Sequence, residues 1–269
     1  QQAASMRKFA NKKIEMAKNS ILEHHPHEQA VRSIVMDYAQ NCELPHFASE
    51  QPGKTYYYSA LKINIFGMVD CAVDELEAFV YHEGEGKKGG NNVASLVIKY
   101  LEMKGWLKKG GYELNLICDN CGGQNKNNTV IRLAPLLCEL GYFKQVNFIF
   151  YIAGHTKNAC DRFFNLLKFN YRKAGLFTME ELIKNFETAG PNISVTKVGP
   201  TDFFDYGVLL DSLYRKIDTG YCQSGHIFRA ISSNIGEMLI EQDTAYSAQI
   251  VGSSMKVRLA RLAKNTCQT

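Results

Sequence analysis

The chain has 269 residues, of which 45% are hydrophobic and 22% are charged, and its formal net charge is +4 at pH 7. This length suits one large domain or two small ones, and the composition is ordinary for a soluble globular protein with a sizeable core. The mild positive charge is compatible with a polyanionic partner. No run of about 18 apolar residues is present, so we expect no membrane span. The first residues, QQAASMRKFANKK, carry neither a signal core nor an initiator Met, which predicts a fragment of a longer protein.

The N-terminal part of the sequence favours a helix followed by three strands. Residues 5–23 have helix-forming composition with a basic face, and HHPHEQ ends that pattern, so 1–30 is predicted to be a basic helical segment. Apolar and β-branched runs then indicate strands over residues 32–40, 55–70 and 75–83. Because their connections are too short for crossovers, these strands are expected to pair antiparallel.

The next part of the sequence alternates helices with strands. Helical spacing or strand-like runs mark a helix at 93–106, a strand at 112–120, a helix at 125–140, a strand at 145–153 and a helix at 157–175. Strands separated by helices run parallel through right-handed crossovers. Residues 31–176 are therefore predicted to form an α/β core, a mixed five-stranded sheet with three antiparallel strands and then two parallel ones, flanked by helices. This is the element order of the ribonuclease H-like fold.

Residues 177–269 are predicted to be an α+β extension of this core. TMEELIKNFE favours a helix capped by Thr178, with Glu181 completing a capping box. ISVTKV, HIFRAI and EMLIEQ favour strands, whereas SSMKVRLARLAKN favours a basic amphipathic helix.

Two aspartates close strands that should be parallel neighbours, and a third follows closely. Asp37 ends the first strand, Asp119 ends the fourth, and Asp161 lies near the start of the helix after the fifth. Converging carboxylates repel one another unless a cation neutralises them, and Mg²⁺ or Mn²⁺ prefers such oxygen ligands. Two of these ions about 4 Å apart can clamp the attacking and leaving oxygens of a phosphodiester. The alternative is that the aspartates are turn or cap residues, a common role for Asp.

The stretch DNCGGQNKNN, residues 119–128, joins a buried strand to a helix. Its Cys121 forms a C-x-x-C pattern with Cys118, the residue directly before the stretch. A structural zinc site needs four ligands, and no second pair follows, so zinc is disfavoured. The phosphate-binding pattern G-x-x-x-x-G-K-[ST] is also absent. Polar residues of this stretch suit contacts to phosphate, sugar or bases, or else helix capping; they are Gln124, Asn125, Lys126 and Asn127.

Other polar residues lie near the same predicted edge of the sheet. His155 sits at a strand end, where it suits proton transfer, phosphate contact or metal binding, or a structural turn. Lys157 and Arg162 are candidates for contacts to a polyanion or for a solvated helix face. Lys87 and Lys88, in the glycine-rich loop GEGKKGGNN, carry the same two interpretations.

Eight cysteines are spaced irregularly, and several lie inside apolar runs where a free thiol packs as a small hydrophobic group. The chain is also too long for a small secreted scaffold held by disulfides. We therefore expect reduced thiols, no disulfide partner and an intracellular protein.

Four blocks carry a resemblance to a known group of proteins: MDYAQ, YHEGEGKKGGNNVASL, DNCGGQNKNN and GHTKNACDRFFNLLK. They resemble the uncharacterised, transposase-derived domains of mobile elements that are regarded as ribonuclease H-like integrases of the DDE/DDD class. The resemblance covers about residues 32–240. It implies Asp37, Asp119 and Asp161 as catalytic and metal-binding acids, with His155 nearby, and two Mg²⁺ or Mn²⁺ ions. It further implies cleavage of DNA and transfer of a 3′-hydroxyl, transposon ends and target DNA as partners, a homo-oligomer, and a nuclear location.

Two other functions stay open on the residues alone. A proofreading-type exonuclease of the same fold usually needs Asp-x-Glu on the first strand, and position 39 is Ala here. A domesticated, catalytically silent domain that binds nucleic acid or protein is the alternative from a different class.

Overall fold

The computed structural model describes residues 2–49, 53, 57–152, 158–242 and 254–258. The described helices are α1 (Gln2–Leu22), α2 (Gly90–Met103), α3 (Asn128–Ile131), α4 (Leu133–Glu139), α5 (Ala159–Lys173), α6 (Met179–Glu187), α7 (Tyr206–Leu213) and α8 (Thr219–Ser224). The described strands are β1 (Val31–Tyr38), β2 (Cys42–Leu44), β3 (Leu61–Asp70), β4 (Glu75–His82), β5 (Gly111–Cys118), β6 (Phe143–Phe150), β7 (Ile193–Lys197), β8 (Ile227–Ile231), β9 (Glu237–Glu241) and β10 (Ser254–Arg258).

All ten strands among the described residues belong to one mixed sheet, in the order β10-β9-β8-β6-β5-β1-β3-β4-β7, with β2 paired to β3. β1 pairs antiparallel with β3 and β3 with β4, whereas β1–β5 and β5–β6 are parallel. The prediction of an α/β protein with a mixed sheet flanked by helices is confirmed.

Residues 177–269 add strands to both sides of the sheet that the preceding residues build. β7 pairs parallel with β4, and β8 pairs antiparallel with β6, followed by β9. The predicted helix capped by Thr178 is confirmed, because its hydroxyl accepts from the N–H of Glu181 at 3.2 Å and the Glu181 carboxylate accepts from the N–H of Thr178 at 3.1 Å. The C-terminal segment contributes to the sheet rather than standing apart from it.

Two predicted helices differ from the structure. The predicted helix 125–140 is two short helices that meet at Arg132, because the ring of Pro135 clashes with a continuous helix at the carbonyl of Ile131. The predicted C-terminal helix is wrong at residues 254–258, which form β10 against the free side of β9. An alternating sequence next to an unpaired strand satisfies its backbone hydrogen bonds by joining the sheet. Residues 259–269 lie outside the described residues.

The two faces of the sheet bury separate cores. Even-numbered residues of β1 and β5, such as Met36 and Leu116, pack with α2, α3 and α4. Odd-numbered residues, such as Val35 and Ile117, pack with α1, α5 and α6. Because side chains alternate along a strand, Asp37 and Asp119 continue the odd-numbered rows and belong to the α5 face.

A glycine sets how closely α5 approaches this face. Gly67 of β3 lies directly opposite Asp37 of β1, and a Cβ at Gly67 would lie 2.6 Å from the Phe164 ring of α5. Cys160 of α5 is fully buried and donates from Sγ to the carbonyls of Val35 at 3.4 Å and Gly67 at 3.7 Å. The first turn of α5 is therefore fixed against β1 and β3 beside Asp37.

We expect Gly67→Ala to destabilise the protein by about 1–3 kcal/mol, because the added methyl group overlaps the Phe164 ring in a packed interior. Urea unfolding followed by circular dichroism measures the change. Gly199→Ala is the matched control, since nothing lies within 4 Å of a Cβ at Gly199. Adding Phe164→Leu to Gly67→Ala should cost less than the sum of the two single changes. Strict additivity would contradict this packing.

Candidate active site

Two of the predicted acids lie side by side at the ends of neighbouring parallel strands. Met36 of β1 is paired with Cys118 of β5, and Asp37 and Asp119 come one residue later on each strand. Both therefore lie at the same level and on the same face of the sheet.

The carboxylate of Asp37 lies in surroundings that disfavour its negative charge. Burial raises its pKa to about 6, the negative charge of Asp119 adds to this effect, and Asp161 adds a smaller contribution. Two neutral donors offset part of the rise in pKa: Nδ2 of Asn158 at 3.3 Å and the N–H of Tyr38 at 2.8 Å. The site thus holds negative charge that its hydrogen bonds do not fully compensate.

Asp119 is held by the loop that follows it. Nδ2 of Asn125, a fully buried side chain, donates to Oδ1 of Asp119 at 2.6 Å. The N–H of Cys121 donates to the same oxygen at 3.4 Å, which is the pattern of an Asx turn. Asp119 therefore takes the turn role that the sequence left open, and its charge still acts on Asp37.

Asp161 is linked to Asp37 through one asparagine. Asn158 caps α5, and its backbone N–H donates to Oδ2 of Asp161 at 2.9 Å while its side chain donates to Oδ2 of Asp37. Asp161 is exposed and completes a capping box, so it occupies the cap role that the sequence left open. Asn158 was not singled out from the sequence, although the spacing N-x-x-D in NACD is a capping signal.

Within the described residues, no group of three or more His, Cys, Asp or Glu side chains is arranged to hold a metal ion. The structure places Asp37 beside Asp119, and Asn158 joins Asp161 to Asp37. The charge of Asp161 also acts on Asp37, and the convergence of the three carboxylates on a metal ion stays a prediction.

Lys88 is the cation that the glycine-rich loop brings to the acids. Its Nζ donates to the carbonyl of Ala39 at 3.2 Å and lies 5.0 Å from the centre of the Tyr38 ring. Burial lowers the pKa of Lys88, and the nearby charge of Asp37 acts in the opposite direction. Lys87, the adjacent candidate, is exposed.

The polar residues after Asp119 hold the loop together. Asn127 caps α3, with Oδ1 accepting from the N–H groups of Thr129 and Val130, and its Nδ2 donates to the carbonyl of Gln124. Lys126 is 5% exposed, and its Nζ donates to the carbonyl of Gln223 at 2.6 Å. The structure therefore places Lys126 in the interior, whereas Gln124 is half-buried.

The remaining candidates are divided between the surface and undescribed residues. Arg162 is exposed and forms an ion pair with Asp74. His155 and Lys157 lie outside the described residues.

The cysteines do not form a zinc site in the described part of the chain. Cys118 is fully buried in the core on the α2 face, whereas Cys121 is half-buried in the loop. Seven cysteines are described, and all are free thiols. No described helix has the length and apolar character needed to cross a membrane.

The profile of a protein family described as a domain of unknown function, DUF7869, matches residues 54–247, more than half of the chain. The chain belongs to the DUF7869 family. No curated protein and no solved structure matches it. Asp119 and Asp161 lie inside the matched DUF7869 region, whereas Asp37 precedes it.

We expect Asp37→Asn to stabilise the metal-free protein at pH 7.5 by about 1–3 kcal/mol. The pKa of Asp37 is raised in the folded state, so the native state binds this proton more tightly than the unfolded state. Stability contributed by Asp37 therefore falls as pH rises from about 4 to about 6 and stays lower above that range. The gain from Asp37→Asn should accordingly vanish near pH 4.

Urea unfolding in EDTA at both pH values measures this difference. Asp218→Asn is the control, because Asp218 caps α8 and asparagine caps a helix equally well. A loss of stability for Asp37→Asn at pH 7.5 would contradict the electrostatic account of the site.

Proposed function

We propose that this chain is a ribonuclease H-like nuclease and strand transferase of the transposase and integrase type, acting on DNA with Mg²⁺ or Mn²⁺. The main support for the proposal is that Asp37 and Asp119 lie next to each other, at the same level, at the ends of two adjacent parallel strands. The raised pKa of Asp37 adds support, because a site that accumulates negative charge suits a cation.

The sheet order supports the same function by analogy of fold. Its central strands run β4-β3-β1-β5-β6, with antiparallel pairing on one side of β1 and parallel pairing on the other. The sequence predicted three antiparallel strands followed by two parallel ones, and this pattern of pairing supports the proposed ribonuclease H-like core. Fold alone does not define an activity, so the acids carry the functional argument.

The donor chemistry of the site fits divalent ions. Asp37 and Asp119 offer carboxylate oxygens, the ligands that Mg²⁺ and Mn²⁺ prefer. Asp161 offers a third carboxylate, which is linked to Asp37 through hydrogen bonds of Asn158. When bound, such ions would activate a water or 3′-hydroxyl and neutralise charge on the leaving oxygen. Asn125 orients Asp119 and Asn158 orients Asp37, so both amides act as positioning residues.

The cations near the acids support a nucleic acid as substrate. Lys88 lies within electrostatic reach of Asp37, and Lys87 and Arg162 are exposed. Lysine and arginine contact phosphates without reading sequence, which suits the positioning of a DNA strand. A homo-oligomer, transposon ends as the DNA partner and a nuclear location belong to the same proposal.

We expect the wild-type protein to nick supercoiled plasmid DNA in Mg²⁺ or Mn²⁺, and Asp119→Asn to reduce the rate by about 100-fold or more. Loss of one carboxylate removes a metal ligand while the amide still accepts from Asn125 and Cys121. Gel electrophoresis of the plasmid measures nicking. Asp218→Asn, a helix-cap change that leaves Asp37, Asp119 and Asp161 in place, should nick as the wild type does. Equal rates in wild type and Asp119→Asn would exclude a catalytic role for Asp119.

A silent domain of the same fold is the second candidate, and specific observations favour it. Asp161 is engaged as a helix cap, and Asp119 also forms an Asx turn. Among the described residues, no three-ligand group is preformed. Metal binding therefore separates this candidate from the enzyme.

We expect Mg²⁺ or Mn²⁺, at about 100 times its Kd, to raise the Tm of the wild type by about 5 °C, because an ion that binds only the folded state stabilises it. The double variant Asp37→Asn/Asp119→Asn should lose this shift in differential scanning fluorimetry, whereas Asp218→Asn should keep it. An equal shift in wild type and double variant would place the ions elsewhere and favour the silent domain.

A further inference from the structure

A cleft opens between α5 and the segment after β1, next to the acids. It has a volume of about 350 Å³ and is lined at one end by Tyr38 and Asp161. Tyr38 directly follows Asp37, and Asp161 is joined to Asp37 through Asn158. The cleft thus lies next to the candidate active site.

The floor and walls of the cleft are apolar and aromatic. Ile65 and Leu167 are buried at its base, and the rings of Phe164 and Tyr171 are partly exposed beside them. Tyr171 is held in place, because its ring stacks on His46 with centroids 3.8 Å apart and its hydroxyl donates to the carbonyl of Glu43 at 2.9 Å. A fixed aromatic wall of this kind suits the flat face of a heterocycle.

The end of the cleft away from Asp161 is positively charged. Lys168 and Arg172 line it from α5, and both are exposed. Nζ of Lys168 donates to the side-chain oxygen of Gln40, a neutral partner, at 2.8 Å. Lys168 lies two turns after Asp161, which is roughly 10 Å along the helix.

We propose that this cleft binds one unpaired nucleotide of the DNA strand, its base against the aromatic wall and its phosphate at Lys168 and Arg172. The inference rests on the proposed function, because the strand in the cleft is the DNA on which the candidate active site would act. The contacts of the base and of its own phosphate lie in the cleft and need no metal ion. Asp161 repels a phosphate at the near end of the cleft, so the bound phosphate lies at the far, cationic end. The volume is at the lower end of the range for ligand pockets, roughly 300–1,000 Å³, which suits a base with its sugar and is too small for a duplex.

The test measures binding of a fluorescein-labelled strand of ten thymidine nucleotides by fluorescence anisotropy, in EDTA and about 0.15 M salt to limit surface electrostatics. Asn165 lines the cleft, whereas its neighbour Leu166 does not, and both are exposed on α5. Asn165→Trp, which places an indole in the cleft, should weaken binding about tenfold, the loss expected when one stacked base is excluded. Leu166→Trp should bind as the wild type does.

A second pair of matched variants tests the cationic end of the cleft. Arg172→Gln should weaken binding about fivefold, whereas Lys173→Gln, next to it on α5 but outside the cleft, should change it less than about twofold. Excess thymidine 5′-monophosphate should displace the strand, and inorganic phosphate should not. If inorganic phosphate alone displaces the strand, the cleft binds only an anion, and the proposal that it binds a base is wrong.

The binding assay contains no metal, so it is independent of cleavage. If wild type and Asp119→Asn nick equally but Asn165→Trp still weakens strand binding, the proposed activity fails and the nucleotide cleft stands. If nicking depends on Asp119 but Asn165→Trp binds like Leu166→Trp, the cleft proposal alone fails. Absence of strand binding by the wild type also overturns the cleft proposal.

Discussion

The parallel pairing of β1 with β5 is the constraint on which the site depends. Its register sets Met36 against Cys118, so the residue that follows on each side is an aspartate and the two carboxylates lie side by side at the sheet end. A shift of one residue would move every side chain of a strand to the opposite face, so Val35 and Ile117 would leave the α5 side for the core under α2. The hydrophobic core therefore keeps Asp37 and Asp119 close together, and the pKa of Asp37 is raised first by burial and then by the charge of Asp119.

Another buried carboxylate on the same face of the sheet is neutralised by a lysine. Glu113, in the odd-numbered row of β5 that leads to Asp119, is 5% exposed and forms an ion pair with Lys13 of α1 at 2.7 Å. Asn147 donates to the same Glu113 oxygen at 3.2 Å. At the other end of this face, the hydrogen bonds to Asp37 come from the backbone of Tyr38 and the amide of Asn158. Glu113 thus has a lysine in direct contact, whereas Lys88 acts on Asp37 only at a distance and donates to the carbonyl of Ala39. The proposed function assigns the remaining negative charge at Asp37 to a bound cation.

Local pattern and chain connectivity were enough to predict the central strands, because short hairpins and helical crossovers allow few arrangements. The order of the elements then predicted that the strands ending at Asp37 and Asp119 are parallel neighbours, as β1 and β5 are. Contacts between distant residues were not predictable in this way. The burial of Lys126 depends on the carbonyl of Gln223, 97 residues later, and nothing in DNCGGQNKNN indicates it. The seating of Phe164 over Gly67 is equally non-local, and so is the addition of β7 to one edge of the sheet. Side-chain periodicity reports which face is buried but not which distant segment covers it.

The cap formed by Asp161 is compatible with a role as a metal ligand when the energies are compared. A capping interaction of this type contributes about 1 kcal/mol, and Asp161 is exposed, so its carboxylate turns at little steric cost. An ion present at about 100 times its Kd contributes about 2.7 kcal/mol to the folded state. Binding of an ion to Asp37 and Asp119 would therefore outweigh the hydrogen bond from the backbone of Asn158, and Asn158 would keep its side-chain contact with Asp37. The capped geometry of Asp161 thus matches a metal-free state of the proposed enzyme as well as it matches a silent domain. Binding of an ion at Asp37 and Asp119 is what distinguishes the enzyme from the silent domain.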